Sequence, residues 1–380
     1  MQDQEYQTLR KELFARLWSE VAPMADEIEE TESIPRDRLF PILADLKVFA
    51  MLIPEQHGGL GLSIAQYLPV IAEFAKIHGG IRALVHVHNS MCHAYAELGS
   101  EQQAQAVLPS AARGESSVAF ALTEPEHGTG ADLGTTAVRD GDHYVLNGRK
   151  WLITNSDFAS HFIVFARTGT GRAAVSALSV ERGLPGFTIE ALPETMGCKG
   201  GQHGQLTFED VRVPVSDLLG EQGQGLAGME RSLEISRVLV AGSSLGTAEY
   251  ALQLSLQHAR ERVTFGKPIA ERQAVQRYLA EMAQDVYALR LMLDDVADKY
   301  DRGQPIPLEA SLVKLFGLEA VGRVTDRALL VHGGIGYTRA RSIERLYRDA
   351  RLNWLEEGTP TIQHMVAARQ LVDGNWWAEA

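Results

Sequence analysis

The sequence predicts an α+β fold whose helices and strands are segregated along the chain. Apolar residues follow a helical period at both ends of the chain and a strand period in the middle. No stretch alternates strand with helix, as a doubly wound α/β fold would require. The predicted parts are an N-terminal α-helical domain over residues 1–115, a central antiparallel β domain over 116–222 and a C-terminal helical bundle over 223–380.

The first domain is predicted to be helical because its apolar residues recur on one face. Leu13, Leu17 and Val21 lie four residues apart, which places them on one side of an amphipathic helix. Pro35 ends this pattern, since a proline inside a helix removes a backbone hydrogen bond. Helical spacing then resumes and continues to about Pro109.

The middle of the chain carries the pattern of antiparallel strands. Short β-branched and aromatic runs such as HFIVFA and AAVSALSV are separated by Gly, Asp and Asn, which favour turns. Asn147-Gly148 is a dipeptide typical of two-residue hairpins, so a tight turn is predicted there.

The helical period returns at about Gly223 and continues. The longest predicted helix has apolar residues at alternating intervals of three and four, the spacing by which helices pack in a bundle. A turn at GQPIP, residues 303–307, leads into the next helix. The apolar stripe consists of Leu279, Met282, Val286, Leu289, Leu293, Val296 and Tyr300.

Composition excludes several classes of function. The 49 acidic and 36 basic residues give a net charge of −13 without a basic stripe, so nucleic acid and anionic membranes are not expected partners. No apolar run approaches the roughly 20 residues that span a bilayer. Cys92 and Cys198 are too few for a disulfide framework, and the N-terminal residues lack the layout of a signal peptide, so a cytoplasmic location is expected.

Two local motifs have simpler interpretations than the chemistry they suggest. Residues 223–228 spell a dinucleotide fingerprint, but the preceding strands are antiparallel in character, so a glycine-rich start of a helix is favoured. His86, His88, Cys92 and His93 are close in sequence, but a helix points the first two in different directions. Buried or hydrogen-bonded helical residues are therefore predicted, and no metal site.

Three regions together are more informative than any single motif, and they occur in a defined order. With them the chain resembles the acyl-CoA dehydrogenase family of flavoproteins over almost its whole length. The resemblance implies the acyl-CoA dehydrogenase fold, with a C-terminal four-helix bundle that forms a homotetramer. The regions are AFALTEPEHGTGAD (119–132) leading to NGRKWLITNS (147–156), then RERVTFGKPIAERQAVQ (260–276), then the stretch from HGGIGYTR to MVAAR (332–369).

The resemblance implies a base and a supporting set around it. In this family a carboxylate takes the α proton of an acyl-CoA while hydride passes from the β carbon to FAD, and Glu357 matches that carboxylate. Burial is expected to raise the pKa of Glu357. Gly358 lets the backbone pass close to the thioester, and Arg237 matches a buried arginine of the substrate side. Ser236 stands at the other position where family members carry the base, and serine cannot serve as one.

The resemblance also implies an FAD site shared between subunits, and hence an obligate oligomer. Leu152 departs from the pattern, because an aromatic residue usually stands there. The positions that match contacts to the flavin edges are Phe120, Leu122, Thr123 and Thr154. Those that match contacts to the cofactor of a neighbouring subunit are Arg262, Thr264, Phe265 and Gln273. Those that match the adenylate half are Gly333, Gly334 and Thr359.

Arg82 bears on the identity of the acyl group. The segment HGGIRALVHVHNSM resembles that of glutaryl-CoA dehydrogenases, where an arginine holds the distal carboxylate of the substrate. An arginine in an apolar pocket is costly unless an anion pairs with it. That anion is either a substrate acid or a protein carboxylate such as Glu73 or Glu356. Thr129 is the nearest candidate for a hydroxyl that contacts the thioester, and Arg369 for a contact to CoA.

The expected activity is therefore α,β-dehydrogenation of a short acyl-CoA with FAD as cofactor, and electron-transfer flavoprotein as the electron acceptor. The acyl group is expected to be short, and a terminal carboxylate is one of the two alternatives for Arg82. A second function is a lyase of the desulfinase kind, which uses the same scaffold without net oxidation. That branch resembles the family with the base lost, so the presence of Glu357 favours oxidation.

Overall fold

The computed structural model describes residues 1, 3–128, 132–170, 174–201 and 203–374. The N-terminal part is helical, as predicted, and α4 and α5 are buried along most of their length. Its helices are α1 (Asp3–Arg16), α2 (Ala25–Thr31), α3 (Arg36–Asp45), α4 (Ile64–Ile77), α5 (Gly79–Leu98) and α6 (Glu101–Ala112).

The central part is a sheet of eight strands whose pairings are antiparallel, except that β1 and β2 each pair with β4 in parallel. Seven of the strands follow the order β6-β7-β3-β2-β4-β5-β8, and β1 pairs with β4 beside them. The strands are β1 (Val118–Ala121), β2 (Thr136–Asp140), β3 (His143–Thr154), β4 (His161–Arg167), β5 (Val175–Glu181), β6 (Phe187–Ala191), β7 (His203–Pro214) and β8 (Leu218–Leu219).

The C-terminal part is built on three long helices. The predicted apolar stripe is confirmed on α8, where Met282, Val286, Leu289, Leu293 and Val296 are all buried. A short hairpin, β9 (Val263–Thr264) and β10 (Lys267–Pro268), connects the first two long helices. The helices are α7 (Gly225–Glu261), α8 (Gln273–Asp301), α9 (Pro307–His332), α10 (Ile343–Asn353) and α11 (Pro360–Val372).

The three parts meet at α5 and α7. Helix α7 packs against α4 and α9, while α5 packs against α7, α10 and strand β1. The core that joins the two helical parts includes Phe74 from α4, Val238 from α7 and Val321 from α9. Helices α5, α7 and α10 therefore lie against one another where the three parts meet.

The predicted hairpin at Asn147-Gly148 is wrong. Both residues lie inside β3, at a shift in its pairing with β7. The turn before β3 falls at Gly141 instead, with φ 63°. Asn147 bonds across to Asp210, whose N–H donates to its side-chain oxygen at 2.8 Å. Gly148 has φ 144°, and a Cβ there would lie 2.6 Å from the hydroxyl oxygen of Thr135, so tertiary packing rather than a turn requires this dipeptide.

The glycines at 223–228 start a helix, as favoured. Gly225 is the first residue of α7, and β8 before it pairs antiparallel with β5. The apolar stripe predicted for the first helix is buried, as expected, but it does not lie on one regular α-helix. Leu17 and Val21 are buried in a π-helical turn after α1, and Pro23 lies in the 3₁₀ turn that follows. No helix among the described residues is long and apolar enough to cross a membrane.

Candidate functional site

The turn between α10 and α11 presents Glu357. Glu357 has φ 54° and Gly358 has φ 92°, and a left-handed non-glycine residue persists only where its surroundings enforce it. Lys314 Nζ, fully buried on α9, donates to the carbonyl oxygens of Glu356 and Gly358, the latter at 2.6 Å. Gln363 Nε2, in the first turn of α11, donates to the carbonyl oxygen of Glu357 at 3.0 Å. Two side chains thus hold three consecutive carbonyl groups.

The carboxylate of Glu357 lies in a polar pocket. Its side chain is 12% exposed, and Oε1 lies 3.6 Å from Nε2 of His86. The Ser236 hydroxyl lies 3.1 Å from the same ring nitrogen. Burial raises the pKa of Glu357, but His86, Lys314 and Ser236 lower it further, so its pKa lies below the usual range. The expected raised pKa is therefore wrong, and the carboxylate is ionised at neutral pH.

Sequence reasoning does not single out His86 as a site residue. Its Nδ1 is buried without a hydrogen-bond partner among the described residues. The signal that could have found it is spacing, because His86 lies four residues after Arg82 and so on the same face of α5. His88 faces elsewhere, with Nε2 2.9 Å from the carbonyl oxygen of Phe49. No group of three His, Cys, Asp or Glu side chains in the described part of the chain could hold a metal.

Arg82 pairs with a protein carboxylate in the folded chain. Nη1 lies 2.8 and 3.0 Å from the two carboxylate oxygens of Glu356. Nη2 donates to Oδ1 of Asn353 at 3.0 Å. Glu73, the other carboxylate considered, accepts instead from the indole N–H of Trp18 at 2.6 Å. Burial lowers the pKa of Arg82, but the adjoining Glu356 carboxylate raises it further, so the guanidinium stays charged.

One carboxylate on α10 joins the three parts of the chain beside this site. Asp349 Oδ2 accepts the N–H of Gly79, at the start of α5, at 3.0 Å. Its Oδ1 accepts the N–H of Cys198, in the segment before β7, at 2.6 Å. A Cβ at Gly79 would lie 2.6 Å from the carboxyl carbon of Asp349, so glycine is required for this approach.

Of the four residues expected at the flavin edges, Phe120 lies in β1, Leu122 and Thr123 directly follow β1, and Thr154 is the last residue of β3. The carbonyl oxygen of Leu122 accepts from Lys150 Nζ at 3.0 Å, and that of Thr123 accepts the N–H of Trp151 at 2.8 Å. These bonds fasten the segment after β1 to β3. Thr154 ends β3, and its hydroxyl lies 3.0 Å from Nδ1 of His203.

The remaining flavin-edge residue, Phe120, is half-buried on β1 against Phe165, with ring centroids 4.9 Å apart. A buried ion pair supports the same strands. Glu124 Oε1 lies 2.8 Å from Lys150 Nζ, and the Glu124 carboxylate also accepts the N–H groups of Gly134 and Thr135. Burial lowers the pKa of Lys150 to about 8, although Glu124 partly offsets this.

The residues present fit an FAD molecule. Thr123 follows β1 and Thr154 ends β3, and each adds a hydroxyl group of the kind that a flavin edge would bond. Leu152 is 50% exposed with φ 58°, an apolar side chain held out from β3. At Gly333 and Gly334, just after α9, a Cβ would find no atom within 4 Å, so the backbone there is open to close approach.

The residues expected at a neighbouring subunit's cofactor lie apart from Glu357, around the β9–β10 hairpin. Phe265, at the tip, is 97% exposed with φ 48°. The carbonyl oxygen of Thr264 accepts from Arg272 at 2.7 Å. Arg262 and Gln273 are exposed at the ends of α7 and α8. No hydrogen bond or ion pair between described residues connects this set to the turn at Glu357.

The remaining predicted residues divide between the turn and the surface. Arg237 is buried, its Nε has no partner among the described residues, and burial lowers its pKa despite the opposing charge of Glu357. Thr359 is exposed at the N-terminus of α11 beside Gly358, and Arg369 is exposed near the end of that helix. Thr129 lies outside the described residues.

Comparison with known proteins gives three matching family models. They are acyl-CoA dehydrogenase, N-terminal domain, over residues 3–115, the middle domain of the same family over 119–211, and its C-terminal domain over 223–372.

Among curated relatives, an acyl-CoA dehydrogenase of Bacillus subtilis is 35% identical over 98% of this chain and 99% of its own length. The caffeyl-CoA reductase-Etf complex subunit CarC of Acetobacterium woodii is 34% identical over 91% of this chain and 92% of its own. Among solved structures, butyryl-CoA dehydrogenase from Megasphaera elsdenii superposes with a TM-score of 0.91 at 30% identity. That match covers 98% of this chain and 99% of the other.

Proposed function

Because the chain belongs to the acyl-CoA dehydrogenase family of FAD-dependent oxidoreductases that act on CH–CH groups, we propose that it removes the α and β hydrogens of a short-chain acyl-CoA. The observation that carries the proposal is Glu357, an ionised carboxylate that is 12% exposed and fixed in a left-handed turn. Glu357 is the base that accepts the α proton. FAD, when bound, supplies the acceptor for the β hydride.

The turn does two kinds of work in this reaction. Lys314 and Gln363 hold its carbonyl groups, so the backbone N–H of Glu357 is presented to the thioester carbonyl and stabilises the charge that develops there. His86 and Ser236 set the position of the carboxylate from the opposite wall. Because folding already fixes the position of the base, proton transfer needs no further ordering of the carboxylate.

The cofactor is held by the strand ends at Leu122, Thr123 and Thr154 together with Phe120, and by the open backbone at Gly333 and Gly334. The hairpin supports the shared arrangement, because Arg262, Phe265 and Gln273 are exposed and, with Thr264, lie apart from the turn at Glu357. We therefore infer a homotetramer in which each hairpin completes a neighbour's FAD site. Thr359 borders the adenylate half, and Arg369 contacts CoA.

Two acyl groups are candidates at the far end of the pocket. A short neutral acyl chain leaves the Arg82–Glu356 pair intact. A chain that ends in a carboxylate, as in glutaryl-CoA, would have to pair with Arg82 in place of Glu356, and the two contacts that Glu356 already makes with Arg82 favour the first candidate. Electron-transfer flavoprotein is the proposed electron acceptor, supported by the relative named as a subunit of a reductase–Etf complex. The proposed location is the cytoplasm.

Anaerobic mixing of the FAD-loaded protein with acyl-CoA compounds tests the function. Butyryl-CoA is expected to bleach the flavin absorbance within seconds and to yield a 2-enoyl-CoA. A lyase would convert its substrate with no lasting loss of absorbance. A protein that neither retains FAD nor bleaches with any saturated acyl-CoA from four to eight carbons would contradict the proposal.

A further inference from the structure

Arg82 is a buried cation whose charge is already neutralised. Its side chain is 2% exposed, and Glu356 accepts two contacts from Nη1, at 2.8 and 3.0 Å. Within the described ranges, Glu356 is the only carboxylate in ion-pair distance of Arg82. The pair is therefore closed to a third charged group unless one partner moves.

The two partners are not equally able to move. Arg82 is held a second time by Asn353, whose amide donates in turn to the Ser244 hydroxyl at 2.9 Å. The Glu356 side chain, 13% exposed, bonds to Arg82 and to no other described side chain. Only its backbone is fixed, by Lys314. Rotation of the Glu356 side chain is therefore the way in which the pair can open.

The pair also adjoins both halves of the site. Glu356 is the residue directly before the proposed base. On the other side, burial lowers the pKa of His203, and the nearby charges of Glu356 and Arg82 act on it in opposite directions. His203 contacts Thr154, one of the proposed flavin-edge residues. The pair thus lies where the base turn and the strand ends meet.

We propose that Glu356 is a specificity-determining residue that occupies Arg82 in the manner of a substrate carboxylate. A terminal carboxylate on the acyl chain has to displace Glu356 and meets its negative charge, whereas an uncharged chain does neither. The inference rests on the proposed dehydrogenation and adds to it the property that selects the acyl group. It follows that removing the Glu356 charge shifts preference toward acyl groups with a terminal acid.

The test compares kcat/KM for glutaryl-CoA and butyryl-CoA in the wild type and in Glu356→Gln, with an artificial electron acceptor. The amide keeps the size of the side chain and one acceptor for Arg82. The glutaryl-to-butyryl ratio is expected to rise at least about tenfold, the scale of one charge-assisted hydrogen bond. Glu356→Asp keeps the charge but shortens its reach, and a rise of about threefold is expected.

Two controls separate this effect from a general loss of charge. Glu115→Gln removes a carboxylate from an exposed pair with Arg113, at 2.7 Å, and is expected to leave the ratio unchanged. Arg82→Gln combined with Glu356→Gln removes the cation as well, and the rise in the glutaryl-to-butyryl ratio is expected to disappear. Should Glu356→Gln not fold, Glu356→Asp carries the test, and a ratio at or below that of the wild type contradicts the proposal.

The outcomes also distinguish this inference from the function beneath it. If none of the acyl-CoA compounds bleaches the flavin of the wild type, the proposed dehydrogenation is overturned. A wild type that oxidises butyryl-CoA, with a glutaryl-to-butyryl ratio that Glu356→Gln leaves unchanged, would overturn the role of Glu356 alone.

Discussion

Two short connections in this chain share a backbone conformation but differ in what secures it. The turn at Glu357 and the hairpin at Phe265 each place a non-glycine residue at positive φ, 54° and 48°, directly before a glycine. The Glu357 side chain is 12% exposed and its turn is held by Lys314 and Gln363. Phe265 is 97% exposed, and its ring contacts Arg272, whose guanidinium lies 5.6 Å from the ring centroid.

The difference indicates which part of the site the chain completes by itself. A left-handed non-glycine residue costs about 1–3 kcal/mol and persists where its surroundings over-determine it. The turn at Glu357 has those surroundings within the chain. The hairpin at Phe265 has few of them, which supports the proposal that a second subunit covers it.

The largest effect is expected when the turn keeps its shape and loses its base. Glu357→Gln removes the proton acceptor and retains the size of the side chain. The rate of flavin bleaching by butyryl-CoA is expected to fall about 10³-fold, within the range of general-base contributions. FAD content and the thermal midpoint are the controls, and both should stay close to wild type. Bleaching at the wild-type rate would remove Glu357 from the mechanism.

A smaller but still large effect is expected when Glu357 is retained and the side chain that supports its turn is removed. Lys314→Met leaves the carbonyl groups of Glu356 and Gly358 without their buried donor. We expect kcat to fall about 10²-fold with KM changed much less, and the free energy of unfolding to fall by about 3 kcal/mol. Lys267→Met in the hairpin is the matched control, because the Lys267–Glu271 pair is exposed at 3.6 Å. Its stability should change by less than about 0.5 kcal/mol.

A hairpin variant should affect assembly rather than the fold of the subunit. Phe265→Ala removes an exposed ring, so the stability of the isolated subunit is expected to stay within about 0.5 kcal/mol of wild type. FAD retention after gel filtration and the fraction of tetramer should fall, the former about tenfold, because a partner contact is lost. Val138→Ala, at a residue 64% exposed on β2, is the control. Unchanged FAD affinity and assembly would contradict the shared site.

The smallest effect lies in the pH dependence of stability. Burial lowers the pKa of Lys314 to about 8 from 10.5, and the carboxylates of Glu357 and Glu356 oppose it. Between those values the unfolded chain binds more protons than the folded chain, so stability rises with pH. From pH 8 to 10 the free energy of unfolding of the wild type, relative to that of Lys314→Met, should increase by about 1 kcal/mol per pH unit in denaturant titrations. The free energy of unfolding of Phe265→Ala should depend on pH in the same way as that of the wild type.

The sequence predicts the segregated fold and the long helices well, because apolar spacing is a local property. Glu357 is predicted through its motif and not through apolar spacing, since a turn between two helices leaves few local constraints. The hairpin predicted at Asn147-Gly148 is wrong because the conformation of this dipeptide is set by Asp210 and Thr135, neither of which is nearby in sequence. Lys314 gave no signal for the same reason, since its two partners lie 42 and 44 residues away. The pKa of Glu357 is lowered instead of raised because His86, Lys314 and Ser236, all distant in sequence, outweigh burial.

The bonds of Asp349 have a consequence for how the protein is made. This carboxylate joins residues 270 and 151 positions earlier in the chain. Contacts between such distant positions form late, and during synthesis the first two parts of the chain emerge before α10 exists. The three parts can therefore be joined at this carboxylate only after α10 has been synthesised, and a nascent chain that stops before α10 cannot carry an assembled catalytic centre.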